Sequence, residues 1–346
     1  VVKGELTSQD TDGWSTLINC ASSHIYLKQM NRKCESALEN GAEPVRVLSS
    51  VLGQNYPSDE LEYSWKKLMQ NHPHDSICCC SVDEVQDEMA TRFNKSKQVA
   101  DYLVSEGKRY IADKINTKEY EKYKNALPFV VFNTTGRKRT SVVSVEIDVT
   151  RKSGWLKKCA YDLDEINVPN YKLIDSAGNS IPFKIEDLGV RFGYDLPKDK
   201  FRQPYMARRV RVTFEAENIS AVGYKTYALV EGDAEKVTDT LVSGENCMEN
   251  DAIRVEINKN GSLNVTDKAS GRTYKGVAYY EETGDLGNEY MYKMPEGSKA
   301  ITTQDTVAKI ELAEDEPYRA MYKITNTITV PKSGDDNFED EKSQMV

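Results

Sequence analysis

The chain has 346 residues, with 46 basic against 55 acidic side chains and a net charge of −9. That length is ample for more than one domain. The acidic balance argues against nucleic acid, whose binding rests on neutralising phosphates, and against an anionic membrane face.

No stretch approaches the ~20 consecutive apolar residues of a membrane span. The opening VVKGELTSQD has neither the basic start nor the apolar run of a signal peptide. Seven cysteines, three of them adjacent at Cys78, Cys79 and Cys80, do not space like a secreted disulfide framework. A reducing, cytoplasmic setting is expected. Adjacent thiols are also poor ligands for one tetrahedral ion, because zinc sites prefer spacers of about two to four residues.

Helical periodicity fills the first ~125 residues and strand alternation the rest. A first helix is expected from near Trp14, with Leu17, Cys20, Leu27, Cys34, Leu38, Ala42, Val45, Leu48 and Leu52 on one stripe. Pro44 should bend or divide it, and Gly53 marks its end. A second helix should follow Pro57, capped by Ser58, burying Leu61, Trp65, Leu68 and Met69, and ending by Pro73. Ser81-Val82-Asp83-Glu84 reads as a capping box. The third helix behind it carries Val82, Val85, Met89, Phe93, Ala100, Leu103, Ile111 and Ile115. Three amphipathic helices with short connections form an antiparallel bundle, and His72 to Cys80 is the loop at one end of it.

Beyond a polar link at Asn116 to Asn125, Phe129–Phe132 reads as a short buried strand and Ser141–Thr150 alternates cleanly. Val210, Val212 and Phe214 alternate again, and Tyr224–Val230 is a further strand. These would make one small sandwich. After a charged, Gly- and Ser-rich boundary, Ile253–Ile257 and Leu263–Val265 flank Asn260-Gly261, a hairpin signal. More strands are expected at Tyr279, Ala308–Leu312 and Met321–Val330, with a strandless acidic run over Asp335–Met345. So few strands would leave unpaired edges, so this last domain is expected to be incomplete.

Three histidines are present, and two sit in Asn71-His72-Pro73-His74-Asp75-Ser76. Imidazole with a neighbouring carboxylate is a common metal donor pair. In extended chain, His72 and His74 would project to one side. The plainer alternative is a histidine that closes a helix end or bonds a carbonyl. Glu281-Glu282-Thr283-Gly284-Asp285-Leu286-Gly287-Asn288-Glu289-Tyr290 is a loop with specific backbone demands or a solvated turn. No phosphate loop or Ser/Cys–His catalytic signature stands out.

Met69-Gln70-Asn71-His72-Pro73-His74-Asp75-Ser76-Ile77-Cys78 with Ser81-Val82-Asp83-Glu84-Val85 resembles the mid-chain signature of glycoside hydrolase family 38 α-mannosidases, in their shorter bacterial branch. Tyr26–Asn31, Phe129–Gly136 and Gly284–Tyr290 resemble further patches of that family, in the same order. The resemblance implies an α+β multidomain protein, a three-helix bundle followed by β-sandwich domains. The bundle with the zinc-ligand loop covers 1–125, a small β-sandwich 126–235, and the start of a large C-terminal β-sandwich 236–346.

It implies a retaining, zinc-dependent α-mannosidase cleaving terminal α-mannosides. His74 aligns with a zinc ligand, Asp75 with an acid that holds sugar hydroxyls, and Tyr290 with a tyrosine reaching the site from the β-domain. His72 is not a ligand in that pattern and is expected to pack the loop. The nucleophilic Asp belongs to a catalytic α/β domain that this chain does not contain, so no catalytic residue is assigned. One His and one Asp are too few to hold zinc tightly, and the chain alone is expected to hydrolyse nothing. The expected partner is a mannoside or oligosaccharide, and the family's habit admits a homodimer. Two departures stand out: Cys79 replaces the usual Gly, so that a positive φ there would strain the loop, and His24 stands where Arg is common. Against this reading stand a carbohydrate-binding module acting through exposed aromatics and a scaffold with no site.

Overall fold

In the computed structural model the described residues are 19–21, 23–197, 199–235, 238–286, 295, 297, 299–331 and 342–345. They fall into two units. One is drawn from Val1–Lys114, Ile253–Glu311 and Lys323–Val346, the other from Ile115–Ala252 and Leu312–Tyr322.

The first unit opens with the bundle. After a 3-10 turn at Asn19–Ala21 come helices α1 (Ile25–Ala37), α2 (Glu43–Val51), α3 (Ser58–Met69), α4 (His74–Ile77) and α5 (Asp83–Ala112). A π-helical turn, Leu38–Ala42, joins α1 to α2 just before Pro44. Pro44 has no N–H to donate, and the wider turn lets the rod continue past it. The predicted stripe survives this join: Leu27, Cys34, Leu38, Ala42 and Val45 are buried, while Leu52 is exposed. Trp14 and Leu17 lie outside the described residues.

α3 buries Leu61, Ser64 and Leu68. Trp65 is half-buried and donates to Glu43 (2.6 Å), whereas Met69 is exposed, contrary to the stripe reading. α3 also starts at Ser58 itself, with Pro57 in the cap position.

α5 is the longest helix and α1, α2 and α3 all pack against it. Its buried face is Gln86, Met89, Phe93, Ser96, Ala100, Leu103, Gly107 and Ile111. Val82, expected on that face, is the exposed N-cap. The capping box does not form: no side chain caps α5, because the Ser81 hydroxyl donates instead to the Asp75 carbonyl (2.7 Å). Gly107 lies where α2 approaches α5 closely; a Cβ there would sit 2.6 Å from Val45 Cγ1.

The second unit is a β-sandwich. Its strands are β1 (Leu127–Asn133), β2 (Arg139–Lys152), β3 (Tyr171–Asp175), β4 (Ser180–Ile181), β5 (Phe183–Asp195), β6 (Gln203–Ile219) and β7 (Gly223–Glu231), with helix α6 (Leu156–Asp164) after β2. One sheet runs β1-β7-β3-β4 and the other β2-β6-β5, all antiparallel. Val210, Val212, Phe214 and Ala216 from β6 meet Leu173, Tyr227 and Leu229 from the facing sheet in one core. Alternation along β2 and β6 puts charges on the outer face, where Arg211 pairs with Glu146 and Glu186 at 3.0 Å each. Asn133 fastens the turn after β1, donating to the carbonyls of Arg137, Ile219 and Ser220 at 2.8–3.1 Å. Short strands β8 (Val242–Gly244) and β9 (Cys247–Glu249) follow.

The first unit's β-part holds β10 (Ile253–Ile257), β11 (Leu263–Asp267), β12 (Arg272–Val277), β13 (Glu281–Glu282) and β14 (Ile301–Thr302). β10 and β11 pair around Asn260-Gly261 as the sequence indicates, with Ile257 opposite Leu263. Only Gly261 takes positive φ in that loop. Tyr279 lies between β12 and β13 rather than in a strand. β15 (Lys309–Glu316) and β16 (Arg319–Thr325) pair with each other, and their residues Leu312–Tyr322 belong to the second unit. β17 (Ile328–Pro331) pairs with β18 (Lys342–Met345), a strand in the run read as strandless. The protein is thus α+β, a helical bundle plus several antiparallel sheets. Among the described residues no helix is long and apolar enough to cross a membrane.

Candidate metal-ligand loop

The segment between α3 and α5 is held from behind by groups that reading for hydrophobic period does not select. Asn71 is fully buried and its amide donates to the Met89 carbonyl of α5 (3.0 Å). The His72 Nε2 meets Asn31 Oδ1 of α1 at 2.8 Å. The Gln86 amide, on the first turn of α5, donates to the carbonyls of Cys79 (3.2 Å) and Ser81 (3.0 Å). Ser81 in turn bonds Asp75, as described above. The signal for Gln86 was present in the sequence: a polar residue one turn before Met89, on the buried stripe.

Within this frame Pro73 adopts extended backbone and starts α4. Its carbonyl takes the N–H of Ser76 (2.9 Å) and Ile77 (3.0 Å), and the His74 carbonyl takes that of Cys78 (2.9 Å). Because residue 74 is helical, the extended-chain argument for His72 and His74 sharing one side does not apply. His72 is spent on α1. His74 and Asp75 point outward, their side chains 85% and 70% exposed, with His74 Nε2 3.3 Å from Asp75 Oδ1.

Two neighbouring positions show backbone cost. Cys79 takes φ 64 and His24 φ 44. Position 79 thus has the positive φ on which strain there was conditional, and its Cβ sits where L-residues pay roughly 1–2 kcal/mol. Lys28 lies against it, with Nζ 3.1 Å from Cys79 Sγ and 2.5 Å from the Ser23 carbonyl. The His24 ring meets Ser23 Oγ at 3.2 Å and Tyr26 edge-on at 5.9 Å.

The donor chemistry of His74 and Asp75 suits a borderline divalent ion such as zinc. Their exposure leaves room for ligands from elsewhere, and among the described residues no group of three His, Cys, Asp or Glu could hold an ion. The loop fits as one side of a site. Tyr290 lies outside the described residues. Of its loop, Gly284 is described, with φ 71 and its N–H on Glu282 Oε1 (2.7 Å).

Comparison with known proteins places these elements. The alpha mannosidase middle domain matches residues 15–111, and the glycosyl hydrolases family 38 C-terminal domain 1 matches residues 124–231. The chain belongs to glycoside hydrolase family 38. Its first family domain spans the bundle with the His74 loop, and its second the β-sandwich. Over its whole length the chain is 39% identical to a "Putative mannosylglycerate hydrolase" of Halalkalibacterium halodurans, and it spans 39% of that protein. The solved alpha-mannosidase of Enterococcus faecalis V583 superposes on 96% of the chain with TM-score 0.89 and 41% identity. A second solved family 38 protein, from Enterococcus faecalis, gives TM-score 0.87 and 38% identity over 93% of the chain. The chain covers 38% of each of these two structures.

Proposed function

We propose that this chain supplies one zinc ligand, His74, and one sugar contact, Asp75, to a retaining, zinc-dependent α-mannosidase acting on terminal α-mannosides. The observation that carries the reading is the loop itself, an outward imidazole–carboxylate pair on a segment pinned from behind by Asn71, His72 and Gln86. Rigid support of that kind is what a ligand-presenting loop needs. When bound, zinc would orient and polarise the O2 and O3 hydroxyls of mannose.

The chain's own part is more limited. His74 presents a neutral ring nitrogen, since a protonated imidazole cannot ligate. Asp75 accepts hydrogen bonds from sugar hydroxyls. Tyr290 is assigned to the same sugar by the family resemblance alone. The nucleophilic carboxylate belongs to the family's catalytic domain, to which neither matched domain corresponds. With so small a ligand set, the chain alone binds zinc weakly and turns over nothing. Seven cysteines, none in a disulfide, support a cytoplasmic setting.

The test is hydrolysis of aryl α-mannoside and of mannosylglycerate by the full-length parent, comparing wild type with His74→Ala at matched zinc. We expect turnover to fall by about a hundredfold or more, the scale on which lost metal-site contacts act, with the circular dichroism spectrum unchanged. A variant as active as wild type, or an inactive parent, would leave the family fold without the chemistry assigned here.

A further inference from the structure

Lys28 and Cys79 bring an amine and a thiol together across 51 positions of sequence, with Nζ 3.1 Å from Sγ. Lys28 lies on α1 and is half-buried. Its Nζ is held as well by the Ser23 carbonyl at 2.5 Å, so its place does not depend on the sulfur. The sulfur is fixed from its own side. Cys79 is 2% exposed, its N–H is bound to the Ser76 carbonyl (2.9 Å), and its carbonyl takes the Gln86 amide (3.2 Å). Its S–H faces the Ile77 carbonyl (3.7 Å), which leaves a sulfur lone pair for Lys28. Cys80 Sγ turns the other way, to the Asp75 carbonyl (3.6 Å) and Oδ1 (3.7 Å). Glycine would adopt the φ of 64 at position 79 without cost, but it would bring no sulfur to Lys28.

We propose that Lys28 and Cys79 are an oxidative modification site, at which hydrogen peroxide joins the two side chains in a reversible sulfur–nitrogen bond between α1 and the His74 loop. The Cys79 sulfur takes one oxygen from peroxide and becomes a sulfenic acid, and the first water leaves. The Lys28 ammonium gives a proton to solvent, and its nitrogen lone pair attacks the sulfur. The S–O bond breaks, and the departing hydroxide takes a further proton from the nitrogen and leaves as the second water. One thiol, one ammonium and one peroxide thus become a sulfenamide, two waters and one proton. The sulfur loses two electrons and the peroxide gains them. Sulfenic acids condense in this way with backbone nitrogen, and an amine is a stronger nucleophile than an amide. Burial at 2% exposure restricts soluble thiols and further peroxide, whereas the lysine nitrogen is already in contact.

The bond acts as a brace. It closes a long loop of chain, from the first turns of α1 to the segment between α4 and α5, and such closure restricts opening. The segment it ties down is the one that displays His74 and Asp75, already held by Gln86 and Ser81 through the Cys79 and Asp75 carbonyls. The bond rests on the Lys28–Cys79 contact alone and stands or falls apart from the zinc-ligand reading.

The test treats the full-length parent with hydrogen peroxide, alkylates the remaining thiols, digests with a protease that does not cut at lysine, and maps the peptides by mass spectrometry without reduction. We expect the peptides of Lys28 and Cys79 joined with the loss of two hydrogens. The link should be removed by dithiothreitol, absent in Lys28→Arg and Cys79→Ala, and absent when the protein is unfolded in urea before peroxide is added. Cys79 untouched, driven to sulfinic acid or joined to Cys78 or Cys80 overturns the proposal, as does a Lys28 link that forms equally in urea. A link that keeps one oxygen between nitrogen and sulfur overturns the condensation step. The brace is read by amide hydrogen exchange over residues 71–82, which should slow by about tenfold or more on oxidation, the low end of what a crosslink contributes, in wild type and not in Lys28→Arg. A link with unchanged exchange overturns the brace and leaves the modification. Circular dichroism checks that both variants fold.

Discussion

Position 79 allows the backbone cost in the loop to be measured apart from its side chain. Cys79 sits at φ 64, is 2% exposed, and has its carbonyl fixed by Gln86. Replacing it by Ala removes the sulfur but keeps a Cβ in the left-handed region. Replacing it by Gly removes the sulfur and the steric conflict together. Loss of a buried sulfur costs on the order of 1 kcal/mol in transfer, plus whatever cavity remains. That loss is common to both variants and cancels between them.

What remains is the left-handed conformation, worth roughly 1–2 kcal/mol for an L-residue, less the unfolded-state freedom that Gly regains, about 0.4–1 kcal/mol. Cys79→Gly should therefore be more stable than Cys79→Ala by about 1 kcal/mol, and close to wild type. Urea unfolding followed at 222 nm, where the bundle helices dominate, resolves a difference of that size. An Ala variant equal to or more stable than the Gly variant would refute the reasoning, because it would mean that residue 79 leaves the left-handed region at no cost.

Gly107→Ala should destabilise the bundle by about 1–3 kcal/mol, the usual range for overpacking, since its Cβ would meet Val45 Cγ1 at 2.6 Å and Arg46 Cδ at 3.1 Å; the same urea titration checks it. On the zinc-ligand reading proposed above, Gln86→Leu, which leaves the carbonyls of Cys79 and Ser81 without their donor, should raise the zinc concentration needed for half-maximal activity of the full-length parent by about tenfold or more, and should lower the bundle's stability to urea by about 1–3 kcal/mol. In the sandwich, burial pushes Tyr227 up to about 12, with Asp175, Tyr120 and Glu217 adding to it. A raised folded pKa gives stability that is present below the unfolded value near 10 and lost as pH rises through about 12, so the melting temperature should fall across that window and fall less in Tyr227→Phe.

Period reading recovers what burial alone dictates. In α5 it finds Met89, Phe93, Ala100, Leu103 and Ile111, all buried. It passes over Gln86, Ser96 and Gly107 on the same stripe because their reasons lie on other elements. Gln86 answers two loop carbonyls, Ser96 accepts from Ser64 through its carbonyl (2.8 Å), and Gly107 admits Val45. The strands were legible where one face is core and the other water, as in β2. They were not legible in β5, an edge strand whose alternation is broken by a bulge between Asp187 and Gly189. Helix α6 did carry a signal in Cys159 and Leu163, but nine residues between strands give too short a window for it to stand out.

The capping box failed for a reason that bears on the site. Ser81 could satisfy either the open N–H groups of α5 or the Asp75 carbonyl, and it takes the latter. A solvent-exposed helix start can be satisfied by water, which makes that choice inexpensive. The hydroxyl is used instead to fix the backbone that displays the imidazole and the carboxylate. Gln86 turns to the same loop from the first turn of α5, while Asn71 and His72 reach out of the α3–α5 segment to α5 and α1. On the reading proposed above, the inward groups hold the loop and the exposed pair, His74 and Asp75, binds. A scaffold without a site would have no need to leave the second pair facing water while tying down every turn behind it.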